Sequence, residues 1–179
     1  GMKSLLRSRS LERFRLLEHY YMIAFDGTQI YTFKHRHCDS CLTKNCKTKD
    51  GKEYTTYYHT ILEAKLVTPM GMVFSIASEF IENNNPNASK QDCELKAFYR
   101  LLPRLRQDFP KLPLVLLLDS LFAGAPTFEL CKKYRCRYII TFKEGSIPTL
   151  ESEFQAIHPL QPENRLEQSF LKAGQKVEQ

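Results

Sequence analysis

Two aspartates in this sequence stand where a carboxylate is costly, and together they could hold a divalent cation. Asp119 follows the uninterrupted apolar run PLVLLL at 113–118, which reads as a strand buried on both faces. Ligand sites of open α/β sheets gather at the carboxyl ends of strands, and a charge buried there without a partner or metal is expensive. A side chain that caps the turn 119–125 also explains Asp119. Asp26 sits inside YYMIAFDGTQIYTF at 20–33, an aromatic and β-branched run that reads as a strand. The Asp26-Gly27 pair also fits a tight hairpin turn between two shorter strands. With one continuous strand there, paired beside the 113–118 strand, the two carboxylates face each other. Like charges that close ionise together only at a cost, which a cation between them removes. Mg²⁺ or Mn²⁺ suits such hard oxygen ligands.

A second constellation is HRHCDSCLTKNC at 35–46. It contains Cys38-x-x-Cys41 and then Cys46, with His35 and His37 just before and His59 on a following strand. Cys-x-x-Cys is zinc-knuckle spacing, because a tight turn lets both thiolates reach one ion. Cys46 and a histidine complete a tetrahedral Cys₃His set. His59 is the expected histidine, with His37 or His35 as substitutes. A closed site of four protein ligands is structural and holds Zn²⁺. Free thiols in a flexible basic loop are the competing reading. Cys93, Cys131 and Cys136 fall in apolar or helical patterns and read as core or near-core thiols.

The elements that must position these groups follow from hydrophobic periodicity. Residues 4–19 read as a basic amphipathic helix, so 1–19 form an N-terminal helical segment. After the strand at 20–33, the polar stretch 34–53 reads as a loop, 54–67 as a second strand and 72–82 as a third. Ser89 is placed to cap a helix whose first turn carries Asp92 and Glu94, favourable at the positive end. That helix presents Cys93, Ala97, Leu101 and Leu105 inward and stops at Phe109-Pro110. The strand 113–118, a helix opened by Pro126, a strand at 137–142 and a helix opened by Pro148 complete the core, with Leu150, Phe154 and Ile157 inward. The whole is α/β with a mixed sheet. A three-stranded antiparallel meander is followed by αβαβα, the ribonuclease-H-like order, with a zinc-knuckle-like hairpin insert at 34–53. Residues 20–158 form this core, and 159–179 read as a polar tail.

At 179 residues with 42% hydrophobic composition the chain can bury a core as one domain. No apolar run has the length of a membrane span, and the N-terminal leucines are mixed with Arg and Glu, unlike a secretion signal. Six cysteines without such a signal suit metal ligands or reduced thiols, so a cytoplasmic location is expected. The net charge of +6 is concentrated in two places. Lys34, Arg36, Lys44, Lys47, Lys49 and Lys52 crowd one segment, and Lys3, Arg7, Arg9, Arg13 and Arg15 crowd the N-terminus. Such clusters favour a polyanionic partner, although a solvated basic surface has the same composition.

The segments FDGT at 25–28, YYH at 57–59, SEFIEN at 78–83, KQDCELKA at 90–97 and LLLDSLFA at 116–123 together resemble bacterial insertion-sequence transposases of the DDE class. The resemblance spans nearly all of residues 20–157. It implies that Asp26 and Asp119 are the first two catalytic acids and that the chemistry is two-metal phosphoryl transfer on DNA. It also implies a CxxC-LT-type insert before a YYH strand, and assembly as a homodimer in a transposition complex. The third acid of that family is a Glu on a later helix, and its motif is not found here. Glu151 and Glu153 lie on the last helix, where they also fit an amphipathic surface. A truncated domain, inactive by itself, is therefore expected. Two further functions stand beside it: a non-enzymatic, zinc-stabilised nucleic-acid-binding module, and an unrelated metal-dependent nuclease on the same fold.

Overall fold

The structure is a computed structural model that describes residues 2–83, 91–143, 145, 147–160, 169–172 and 175–178. It divides into two compact units, residues 1–142 and 143–179. The boundary thus falls inside the 20–158 core expected from the sequence.

In the first unit the apolar runs become strands β1 (Tyr21–Phe33), β2 (Leu42–Lys47), β3 (Glu53–Val67), β4 (Val73–Ile81), β5 (Leu114–Leu118) and β6 (Arg137–Ile140). They form one mixed sheet in the order β2-β3-β1-β5-β6, with β4 also paired to β3. β1, β3 and β4 are antiparallel, whereas β1, β5 and β6 run parallel. The meander followed by parallel crossovers is the order of strands read from the sequence. β3 is long enough to carry two partners on one edge. Its first half pairs with β2 and its second half with β4, so the start of β2 meets the end of β4 near His59.

β2 corrects the reading of 34–53 as a loop. LTKNCK is polar because only Leu42 of this edge strand is buried, so it lacks the apolar alternation that marks a half-buried strand.

Helix α2 (Glu94–Asp108) covers one sheet face. Ala97, Phe98, Leu101, Leu102 and Leu105 are fully buried, against Ile23, Phe25, Leu62, Leu66 and Leu116 of the strands. Phe98 anchors this layer, with ring centroids 4.9 Å from Phe25 and 5.1 Å from Phe122. Each such side chain contributes about 1.5–3 kcal/mol when fully buried. Helix α3 (Ala125–Lys133) buries Thr127 and Cys131, and its Phe128 stacks on Tyr138 of β6.

α2 starts at Glu94, with Cys93 at the cap position making no side-chain cap bond. Cys93 is exposed, which corrects its placement in the inner stripe. The expected cap, Ser89, lies outside the described residues. The N-terminal segment is not one helix. Helix α1 spans only Met2–Arg7, and a single 3₁₀ turn follows at Glu12–Phe14. Arg9, Leu17 and Glu18 have positive φ angles, which a right-handed helix excludes. Leu11 and Phe14 nonetheless reach the core.

The second unit contains helix α4 (Pro148–Ile157), a 3₁₀ turn at His158–Leu160, and a hairpin of β7 (Ser169–Lys172) with β8 (Gln175–Glu178). The hairpin lies in what the sequence presents as a weakly patterned tail. α4 buries none of its residues; Leu150, Phe154 and Ile157 are exposed rather than inward. Among the described residues no helix is long and apolar enough to cross a membrane.

Candidate metal centre and carboxylate cluster

Cys38, Cys41 and His59 are the described group of Cys, His and acidic side chains whose ligand atoms all lie within 4.8 Å of one another. The loop after β1 carries the two cysteines back over β3, where His59 points at them. Sγ of Cys38 lies 3.6 Å from Sγ of Cys41, and each sulfur lies 3.4 Å from Nε2 of His59. Zn–S bonds of about 2.3 Å and Zn–N bonds of about 2.0 Å put tetrahedral S···S and S···N edges near about 3.8 and 3.5 Å. The three atoms therefore form one face of a tetrahedron of the size a zinc ion needs. Soft sulfur with imidazole nitrogen is also the donor set that suits such a metal.

Cys41 is fully buried and Cys38 exposed. Burial opposes ionisation of Cys41, but hydrogen bonds from the backbone of His37 and Cys38, the Cys38 thiol and the charge of Arg36 bring it below the ordinary thiol range. A thiolate is the metal-binding form. His37 lies nearby, with its ring stacked on Phe33 at 4.9 Å, and the Phe33 ring stands edge-on to His59.

Cys46 does not join the cluster. It sits on β2 opposite Tyr54, five residues along β3 from His59, or roughly 17 Å at strand spacing. An odd separation on a strand also turns the two positions to opposite faces of the sheet. Its thiol instead lies near Thr56 Oγ1 and the Lys44 carbonyl.

Asp26 is an interior residue of the continuous strand β1, opposite Glu63 of β3, and does not lie in a hairpin turn. The parallel register pairs Tyr21 with Leu114 through Ala24 with Leu117. Two residues further along each strand come Asp26 and Asp119, at the carboxyl end of β5. Asp119 also caps the turn that follows, accepting from the Leu121 N–H at 2.9 Å; its second oxygen is left for another partner. Asp26 is largely exposed, and the Lys65 ammonium lies 4.0 Å from it.

A third carboxylate joins these two. Glu94, in the first turn of α2, lies against Gly27 so closely that a β-carbon there would overlap its carboxylate. Burial, then the charges of Asp119 and Asp26, hold the Glu94 carboxyl above its ordinary range. In the sequence Glu94 looks like a helix-start acid. The signal that could have exposed it is Gly27, since glycine inside a strand often marks a close approach.

The α2 start is fixed by its own network. Arg100 donates to Asp92 and Glu79 at 2.7 Å each, and Arg104 also pairs with Glu79. Gly27, Tyr58, Leu42, Ile81, Glu94 and Leu121 line part of a cleft of about 420 Å³. In the second unit, Glu151 accepts from the Gly145 N–H, a local bond, and Glu153 is exposed.

No protein-family model matches the chain, and no curated protein matches it.

Proposed function

We propose that this chain is a portion of a DDE-class transposase catalytic domain, binding DNA and a divalent cation at Asp26 and Asp119. The observation that carries this reading is the parallel register of β1 and β5, which pairs Ala24 with Leu117, two residues before Asp26 and Asp119, together with the charges of both aspartates acting on Glu94. The strand sequence β4-β3-β1-β5-β6 supports a ribonuclease-H-like fold. The oxygen donors of Asp26 and Asp119 suit a hard divalent cation such as Mg²⁺ or Mn²⁺. When bound, the cation supplies Lewis-acid activation of water or of a DNA 3′-hydroxyl. Asp26 and Asp119 hold it, Glu94 adds charge from the α2 side, and Lys65 balances Asp26. The Glu of a later helix is not identified, so the chain alone is expected to bind DNA without completing strand transfer.

Cys38, Cys41 and His59 would hold Zn²⁺ in this reading and fix the loop after β1 against β3. The exposed lysines of the same segment provide phosphate contacts. That juxtaposition also favours the second reading, a nucleic-acid-binding module without catalysis.

Duplex binding separates the two. Carboxylates repel phosphates, and a bound cation reverses this. Fluorescence anisotropy at fixed ionic strength is expected to show Mn²⁺ tightening DNA binding by the native chain but not by Asp26→Asn/Asp119→Asn. Equal Mn²⁺ response in both proteins would sink the catalytic reading and leave the binding module.

A further inference from the structure

The segments SEFIEN at 78–83 and QDCELKA at 91–97 meet the cysteine loop between the end of β4, the start of β2 and the start of α2. Asn83 donates its side-chain amide to the Cys41 carbonyl at 3.1 Å, and its backbone N–H to the Ser40 carbonyl at 3.2 Å. Gln91 treats Thr43 as a neighbouring strand would. Its Oε1 accepts from the Thr43 N–H at 2.7 Å, and its Nε2 donates to the Thr43 carbonyl at 2.9 Å. The two side chains also bond each other, Asn83 Nδ2 to Gln91 Oε1 at 3.1 Å. Asn83 Oδ1 then accepts the backbone N–H of Asp92, whose carboxylate accepts from the Glu82 N–H. Asp92 stands two residues before Glu94.

These bonds run from the loop of the metal centre to Asp92, in the segment that opens α2 and leads to Glu94. Cys41 is a candidate ligand of the metal centre, and the backbone at 40, 41 and 43 is what Asn83 and Gln91 grip. Leu42, between the gripped residues, is buried and lines the same cleft as Glu94. A loop without regular structure holds one position only when something ties it down. An ion bridging Cys38 and Cys41 to His59 would tie this one to β3.

We infer that Asn83 and Gln91 are positioning residues, through which metal occupancy at Cys38, Cys41 and His59 sets the place of Glu94 beside Asp26 and Asp119. The inference rests on the metal-centre and carboxylate readings above, and adds that the two sites are coupled. Outer-shell bonds of this kind orient metal sites and commonly change affinity by about 10–100-fold.

The test uses the full chain, zinc-loaded or stripped with a chelator, with Zn²⁺ stoichiometry measured in each state. Hydrogen exchange of peptides spanning 91–98 is expected to slow on zinc loading in the native protein. Mn²⁺ affinity, read by electron paramagnetic resonance, is expected to rise about tenfold with zinc. Gln91→Ala should still take up one zinc per chain but lose both responses. A merely structural role for Gln91 would lower stability in both states and leave the zinc response intact. Zinc uptake by the native protein with unchanged exchange at 91–98 overturns the coupling alone, and this arm needs no variant. A native zinc response that persists in Gln91→Ala overturns the role of Gln91. No zinc uptake at all overturns the inference together with the metal-centre reading.

Discussion

Glu94 and Gly27 occupy each other's space: the carboxylate of the first α2 turn fills the volume that a side chain on the β1 residue after Asp26 would need. The strand therefore carries glycine where it passes under the helix start. Gly27→Ala is expected to displace the flexible Glu94 carboxylate and to cost no more than about 1 kcal/mol, the low end for overpacking. Thermal unfolding of Gly27→Ala and of Gly27→Ala/Glu94→Ala checks this. The double variant should recover most of the loss, and failure to recover would mean that the strain lies elsewhere.

The composition of the zinc set is tested by Cys46. Because strand geometry carries Cys46 away from His59, Cys46→Ser should leave zinc stoichiometry and affinity unchanged. Cys38→Ser, Cys41→Ser and His59→Ala should each weaken zinc binding by at least about tenfold. A colorimetric zinc-release assay decides, and zinc loss in Cys46→Ser would return that residue to the site.

How legible these features are in the sequence depends on how local the determinant is. β1, β3 and β5 announce themselves because alternating or continuous apolar runs report burial directly, and Asp26 and Asp119 are readable against that background. β2 is not, because an exposed edge strand has no apolar face to show. The pattern across 4–19 resembles a helix because Leu6, Leu11, Phe14 and Leu17 have helical spacing. The chain instead turns at Arg9, Leu17 and Glu18, and only Leu11 and Phe14 of these four are buried. Cys38 and Cys41 are near in sequence and recognisable by their spacing, but the place of Cys46 depends on register. Glu94 depends on tertiary approach to Gly27; a glycine inside a strand marks such an approach but does not say which residue makes it.

Thiol reactivity gives an independent view of burial. Burial, then the nearby Cys136, pushes the Cys131 thiol up to about 12, and burial also raises Cys136. Thiolate is the reactive form. Native zinc-loaded protein at pH 8 is expected to label rapidly at the exposed Cys93, with Cys131 and Cys136 silent. Chelation should add Cys38. Mass spectrometry of alkylated peptides reads the result, and rapid labelling of Cys131 would contradict the buried position on α3.

Acid stability carries a defined sign at Glu63. The Ser75 hydroxyl at 2.8 Å, and then Lys65, hold the Glu63 carboxyl below its ordinary 4.5 despite burial. A carboxyl with a depressed folded pKa stabilises the fold above its unfolded value, and that stabilisation is lost as pH falls through the folded one. Ser75→Ala should cost about 1 kcal/mol at neutral pH, with the difference shrinking below about pH 4. Denaturant titration across pH checks this. A cost that is the same at pH 3 and pH 7 would show that the hydroxyl acts by packing.

The central claim is that Asp26 and Asp119 share a cation. Mn²⁺ binding to zinc-loaded protein, followed by electron paramagnetic resonance, tests it most directly. The account predicts saturable Mn²⁺ binding by the native chain that weakens by more than about tenfold in Asp26→Asn/Asp119→Asn. Equal Mn²⁺ binding by the two proteins, or none by the native chain, would contradict it.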